Sequence, residues 1–139
     1  MAGIRAVITS PPYMNALDYV RDNRLRLWFL ERALPSQIDL VGRNRDAAFS
    51  ELIKTVCLQL APKIASGGYF ILIVGDPNAR GTGLRGRTIA ITRGIFRTLP
   101  ELRAFKPECI YEDRIPDVRR SRRECRGTKS EAVLVYRKS

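Results

Sequence analysis

The chain is 139 residues long with 45% hydrophobic residues, which is enough to form one domain with a packed core. Its net charge of +11 indicates a polyanionic partner, most simply a nucleic acid. The sequence has no apolar run of membrane-spanning length and no signal-peptide pattern, so a cytoplasmic protein without membrane contact is expected.

The first half of the chain predicts one strand followed by two helices. Residues 6–9 are a short apolar, β-branched run that predicts a buried strand. A helix is predicted over residues 16–34, with Trp28 and Phe29 in the core. A second helix is predicted after Asn44, a plausible N-cap, and its apolar stripe continues to residue 64. The glycine pair 67–68 is predicted to end it.

The second half predicts three strands and one helix. Residues 69–74 form a continuous apolar run, typical of a strand covered on both faces in a parallel sheet. A helix over residues 88–99 is followed by strands around residues 109–114 and 132–136. No helix separates these last two strands, so an antiparallel pair is expected. The order predicts an α/β fold with about four strands, whose first strand lies at an exposed edge.

The cysteines and the lack of histidine limit the chemistry. Without histidine there is no Ser-His or Cys-His nucleophile pair. Cys57, Cys109 and Cys125 are widely spaced and form no Cys-x-x-Cys pair, so no zinc site is predicted. Free thiols are expected, with Cys57 in the core because it falls on the apolar stripe of its helix.

Residues 10–13, Ser-Pro-Pro-Tyr, follow the first predicted strand directly. Sites in open α/β sheets form at the carboxyl ends of strands. Two prolines remove backbone donors and leave carbonyl acceptors, and a serine hydroxyl adds another acceptor. A tyrosine ring beside them offers a surface for stacking. This combination suits a flat ring that carries an exocyclic amine. An ordinary strand-end turn is the alternative.

These residues resemble the catalytic motif of the amino-methylating DNA methyltransferases, which transfer a methyl group from S-adenosylmethionine to N4 of cytosine or N6 of adenine. The resemblance lies in residues 9–13 and in the segment 15–30 that follows them. Residues 67–76 and 131–138 are also similar to later strands of that family, so nearly the whole chain is covered. A first-position serine favours N4 of cytosine.

The resemblance implies a role for each residue of the motif. Ser10 and the carbonyl of Pro11 would accept hydrogen bonds from the target amine, within a corner that Pro12 makes rigid. Tyr13 would stack on the flipped base. The methyl group would move by direct displacement, so positioning would supply much of the rate. The family also implies contact between Ser10 and the cofactor.

One feature of the family is missing from the printed sequence. A complete member carries a Phe-x-Gly-x-Gly-type loop and an acidic residue for the cofactor ribose, and neither appears where it should. The resemblance therefore implies a single domain over residues 1–139, the catalytic half of a Rossmann-like sheet, with a separate cofactor-binding half or subunit as partner. A truncated product, a split subunit and a degenerate remnant remain open, and the isolated chain is expected to bind S-adenosylmethionine poorly.

The arginines suggest where DNA would bind. A glycine-rich loop and an arginine-dense loop are predicted to face phosphate groups, with a solvated surface as the alternative. The candidate residues are Arg80, Arg85, Arg87, Arg119, Arg120, Arg122 and Arg123.

Other functions fit parts of the sequence. Residues 81–86 match Gly-x-Gly-x-x-Gly, the pattern of nicotinamide oxidoreductases, but several residues separate them from the preceding strand. An inactive nucleic-acid-binding remnant and an RNA base methyltransferase also remain open. No metal is expected.

Overall fold

The computed structural model describes residues 3–12, 24–29, 44–76, 86–115 and 129–139. Over these ranges the chain is an α/β protein with one four-stranded mixed sheet. The elements are β1 (Ile4–Thr9), α1 (Arg24–Phe29), α2 (Arg45–Leu60), β2 (Ile64–Asp76), α3 (Arg87–Thr98), β3 (Phe105–Ile115) and β4 (Lys129–Lys138). Short 3-10 turns at Ala61–Lys63 and Pro100–Leu102 follow α2 and α3.

The strand order is β1-β2-β4-β3. β1 pairs parallel with β2, while β4 is antiparallel to both β2 and β3. The predicted antiparallel pairing of the last two strands is therefore confirmed, and β1 lies at an edge as expected. β1, β2 and β3 all end at one end of the sheet, where β4 begins; this is called the carboxyl end below.

Both α2 and α3 pack on one face of the sheet, called the covered face. Phe49, Ile53 and Cys57 step along α2 at helical spacing and are fully buried, as the apolar stripe predicts. They meet alternate residues of the two central strands, because side chains of a strand point to opposite faces. These buried strand residues are Phe70, Leu72 and Val74 of β2 and Ala132, Leu134 and Tyr136 of β4.

Aromatic rings join α3 to the sheet. The rings of Phe96 and Tyr136 stack with centroids 3.8 Å apart and planes 8° from parallel. Phe70 and Phe105 meet the Phe96 ring edge-on, at 5.7 and 6.2 Å. The predicted helix over residues 88–99 thus buries Ile95 and Phe96, but its inner side also carries Thr88 and Thr92. Thr92 donates its hydroxyl to the carbonyl of Thr88 at 2.9 Å, which makes the buried hydroxyl tolerable.

The glycine pair 67–68 lies inside β2, so the prediction that it ends the second helix is wrong. α2 ends at Leu60, ahead of a 3-10 turn that holds Pro62. The pairing of β1 with β2 shifts register between Ile4 and Ala6. Gly67 there has φ +75°, and a Cβ on Gly68 would lie 2.9 Å from the carbonyl oxygen of Arg5. The two glycines therefore allow a bulge in the strand.

The opposite face of the sheet is called the open face. No described helix makes an extensive contact with it. Its apolar side chains are only half-buried: Ile71 and Ile73 of β2, and Val133 and Val135 of β4. The expectation that residues 69–74 are covered on both faces therefore fails within the described ranges. Trp28 and Phe29 of α1 are 71% and 76% exposed, so the prediction that they are core residues is wrong for the structure as described.

Hydrogen bonds from a lysine side chain connect the end of β4 to the start of β2. The ammonium group of Lys138 donates hydrogen bonds to the carbonyls of Ala61 at 3.1 Å and Ile64 at 2.6 Å. These carbonyls belong to the 3-10 turn and its exit, and the carbonyl of Ala61 also accepts the backbone N–H of Ile64. Within the described ranges, no helix has the length and apolarity needed to cross a membrane.

Candidate functional site at the carboxyl end of the sheet

The Ser-Pro-Pro segment lies directly after β1. Thr9, the last residue of that strand, pairs in parallel with Leu72, and β2 continues past Leu72 to Asp76. Parallel strands end at the same end of a sheet, so Ser10 follows the sheet's carboxyl end beside the last residues of β2. Ser10 is exposed, Pro11 is buried and Pro12 is half-buried. A buried proline ring thus anchors the corner while the serine reaches solvent.

Tyr13, the predicted stacking ring, lies outside the described residues. Arg80, Arg85, Arg119, Arg120, Arg122 and Arg123 also lie outside them.

The segments that carry these arginines are nevertheless attached at the carboxyl end. Residues 77–85 leave β2 at Asp76 and enter α3 at Gly86 and Arg87. Residues 116–128 connect Ile115 of β3 to Lys129 of β4, and these two flanking residues pair with each other. The residues that flank both predicted phosphate-facing loops therefore lie at the same end of the sheet as Ser10.

Arg87 is the one predicted arginine within the described residues. Its guanidinium group forms an ion pair with the carboxylate of Asp46, in the first turn of α2. The Arg45 side chain lies 3.9 Å from the other oxygen of that carboxylate. Arg87 remains about half exposed, but its charge is shared with Asp46. Its first role in the fold is to tie the start of α3 to the start of α2.

Asn44 precedes α2 as predicted, yet it is not a side-chain cap. Its backbone has φ −92° and ψ 9°, and its side chain makes no capping hydrogen bond. Asp46 in the first turn carries a negative charge at the positive end of the helix, which favours the same helix start. The sequence predicted the start of α2 correctly but attributed it to the Asn44 side chain. Asp46, two positions later, was the residue in the sequence that indicated this helix start.

A groove of about 460 Å³ runs between α2 and α3. Asp46, Ser50, Lys54, Arg87 and Thr98 contribute to its lining, so the groove shares Arg87 with the predicted site but not Ser10 or Pro11. It is an open trough lined by residues of these two helices.

The cysteines behave as structural or free thiols where they are described. Burial raises the pKa of the Cys57 thiol to about 12, so it stays protonated at neutral pH and is a poor nucleophile. Cys109 is a half-buried free cysteine, and Cys125 lies outside the described residues. Among the described residues, no group of three or more cysteine or acidic side chains is arranged to hold a metal ion.

Comparison with known proteins identifies no relative. No family model, curated protein or solved structure matches this chain.

Proposed function

We propose that this chain is the catalytic half of an S-adenosylmethionine-dependent methyltransferase that modifies an exocyclic amine of a base flipped out of DNA, with N4 of cytosine favoured over N6 of adenine. One observation carries the proposal. The Ser-Pro-Pro segment follows the edge strand β1 at the carboxyl end of a mixed α/β sheet, with Ser10 exposed and Pro11 buried. Such an end is where open α/β sheets place their sites.

The chemistry follows from the residue types. An exocyclic amine has little nucleophilicity while its lone pair is conjugated with the ring. Acceptors that bind both of its hydrogens favour a more tetrahedral nitrogen, whose lone pair points at the methyl donor. In the proposal these acceptors are the hydroxyl of Ser10 and the carbonyl of Pro11, and Tyr13 stacks on the base to fix its plane. Bound S-adenosylmethionine would supply the methyl group from its sulfonium sulfur, and the attacking nitrogen would give up one proton to solvent.

The architecture is compatible with the proposal. A Rossmann-like methyltransferase sheet accommodates a parallel strand pair and an antiparallel C-terminal pair, as found here. The net charge of +11 and two loops at the same end of the sheet as Ser10 support a DNA partner. S-adenosylmethionine would be held mainly by a separate cofactor-binding half, because the printed sequence contains no Phe-x-Gly-x-Gly segment.

The proposal is tested by the product of the reaction. DNA and, in a parallel reaction, RNA are incubated with S-adenosylmethionine labelled on its methyl group, this chain, and a cofactor-binding half of an amino-methyltransferase supplied as a second polypeptide. The digested nucleosides are then separated. N4-methylcytosine or N6-methyladenine that disappears with Tyr13→Ala supports the proposal. Label in RNA alone would favour the RNA methyltransferase, and DNA binding without any transfer would favour the inactive remnant.

A further inference from the structure

Three large apolar side chains lie exposed together on α1. Leu25, Trp28 and Phe29 are 74%, 71% and 76% exposed. They stand at positions i, i+3 and i+4 of the helix, so they share one side of it. Among the described residues, α1 makes no extensive contact with another element. A contiguous apolar patch of this kind indicates an interaction site, and it is called the aromatic patch below.

The two rings of the aromatic patch contact each other. The ring centroids of Trp28 and Phe29 are 5.1 Å apart, and their planes meet at 64°, an edge-to-face arrangement. The quadrupoles of aromatic rings favour this arrangement, so each ring restricts the rotation of the other. Most of the indole surface nevertheless faces solvent. An exposed ring whose orientation is already restricted loses little entropy when a flat partner stacks on it.

The charge beside the aromatic patch indicates the class of partner. Arg26 is exposed and lies three positions before Phe29, so a cation borders the rings. The chain as a whole carries a net charge of +11. A single nucleic-acid strand offers phosphates to the cation and base faces to the rings, whereas an apolar protein surface matches the rings alone. These observations favour a nucleic-acid strand over a protein as the partner.

The base that stacks on these rings has to be unpaired. Inside a duplex, both faces of each base are covered by the neighbouring base pairs. A base in a single strand or next to a flipped nucleotide has a face free for an aromatic side chain. The aromatic patch therefore suits a locally opened strand and not an intact duplex.

We propose that Trp28 and Phe29 form a stacking surface for an unpaired DNA base other than the target base. This deepens the proposed function and rests on it for the identity of the partner. Residues 13–23 connect the Ser-Pro-Pro corner to α1. The target base would stack on Tyr13, a second base of the same strand would stack on Trp28, and Arg26 would contact a phosphate next to that second base.

The first test uses the fluorescence of Trp28, the single tryptophan of the chain. The full 139-residue chain is titrated with a single strand of ten thymidines. Thymine has no exocyclic amine, so this strand lacks the group that Ser10 is proposed to bind. The control strand has ten abasic sugar-phosphate units and carries the same charge without bases. We expect a loss of Trp28 emission with the thymidine strand and none with the abasic strand, because only a stacked base quenches the indole.

The second test separates stacking from plain apolar contact. Trp28→Leu keeps an apolar side chain without a ring, and Trp28→Phe keeps a ring. Anisotropy titrations should show about tenfold weaker binding of the thymidine strand by Trp28→Leu, and less than about threefold weaker binding by Trp28→Phe. The abasic strand should bind all variants equally. Tyr111→Leu is the matched control, because it removes a 64% exposed ring from β3, and it should leave both affinities unchanged.

Four results would overturn the inference. Two are equal quenching by the two strands and equal affinity of Trp28→Leu and the unmodified chain for the thymidine strand. A third is Trp28 emission that is shielded from acrylamide in the free chain, because the chain itself would then cover the ring. The fourth is shielding that appears on adding a cofactor-binding half without DNA, because a protein would then occupy the aromatic patch. The fluorescence results come from the unmodified chain and do not depend on the folding of any variant.

The outcome is separable from that of the proposed function, because quenching needs neither cofactor nor methyl transfer. If the thymidine strand quenches Trp28 and no methylated base forms with any cofactor-binding half, the stacking inference stands and the proposed function fails. If methylated DNA bases form while no strand changes the emission of Trp28, the proposed function stands and the stacking inference fails.

Discussion

Thr9 and Leu72 pair in parallel register at the point where β1 ends. This pairing fixes the direction in which the chain leaves the strand, so Ser10 follows at the carboxyl end of the sheet. The core residue Leu72 is fully buried beneath α2 and α3. The Ser-Pro-Pro corner thus follows a strand paired with a central, buried strand of the sheet, as positioning of a reacting group requires.

DNA binding is expected to weaken steeply with salt. Each phosphate contact contributes about 0.9 to the slope of log affinity against log salt. Replacing Arg119, Arg120 and Arg122 by glutamine should lower the magnitude of that slope by about 3. The control removes the same charge at the opposite end of the sheet, through glutamine at the exposed residues Arg97, Arg103 and Lys106. Anisotropy titrations at several salt concentrations measure both, and equal slopes in the two triple variants would contradict the loop assignment.

S-adenosylmethionine is expected to bind the isolated chain poorly. The proposed cofactor contact at Ser10 is one polar group, and the printed sequence has no Phe-x-Gly-x-Gly loop to hold the rest of the molecule. Isothermal calorimetry on the purified chain should give a dissociation constant above about 1 mM. Micromolar binding would show that these 139 residues hold a complete cofactor site, and the division into halves would be wrong.

Lys138 is expected to contribute to stability through its two carbonyl contacts. Lys138→Met keeps most of the unbranched side chain but leaves the carbonyls of Ala61 and Ile64 without this donor. The free energy of unfolding should fall by about 1–3 kcal/mol. Urea denaturation measures it, with Lys106→Met as the same substitution at an exposed lysine. A loss no larger than that of Lys106→Met would mean that the two hydrogen bonds add nothing.

Alkaline pH is expected to destabilise the fold. Burial is the main cause that raises the pKa of Tyr136 from 10.0 to about 12, and it raises the pKa of Cys57 from 9.0 to about 12. Both groups hold their protons more tightly in the folded state. Their contribution to the free energy of unfolding is therefore complete below about pH 9 and is lost as the pH rises towards 12. Urea midpoints across that window should fall, and less steeply in Tyr136→Phe. A flat profile would contradict these pKa values.

Much of the fold was predictable where one periodicity dominates. The helical spacing of Phe49, Ile53 and Cys57 gave α2 and its buried side, and the β-branched run at residues 69–74 gave the centre of β2. Gly67 and Gly68 misled because a glycine pair signals a helix stop and a strand bulge equally well. Only the close approach of the Arg5 carbonyl decides between them.

The candidate site was predictable in part. The position of Ser10 after a strand followed from the residue pattern alone. The pairing of Arg87 with Asp46 did not, because 41 positions of sequence separate partners that two helix starts bring together. The exposure of Trp28 and Phe29 was not predicted either. An apolar helix has the same sequence pattern whether it packs against its own domain or against another chain.

The most direct measurement is the affinity of the chain for short DNA duplexes that present one unpaired base. The bases compared are cytosine, adenine, thymine, and cytosine with two methyl groups on N4. If Ser10 and Tyr13 hold an exocyclic amine, duplexes with unpaired cytosine or adenine bind more tightly than those with thymine or dimethylated cytosine, by about tenfold. Ser10→Ala should remove that preference, and Tyr13→Ala should weaken binding to all four. Equal affinity for all four bases in the unmodified chain would contradict the proposed role of the Ser-Pro-Pro-Tyr corner.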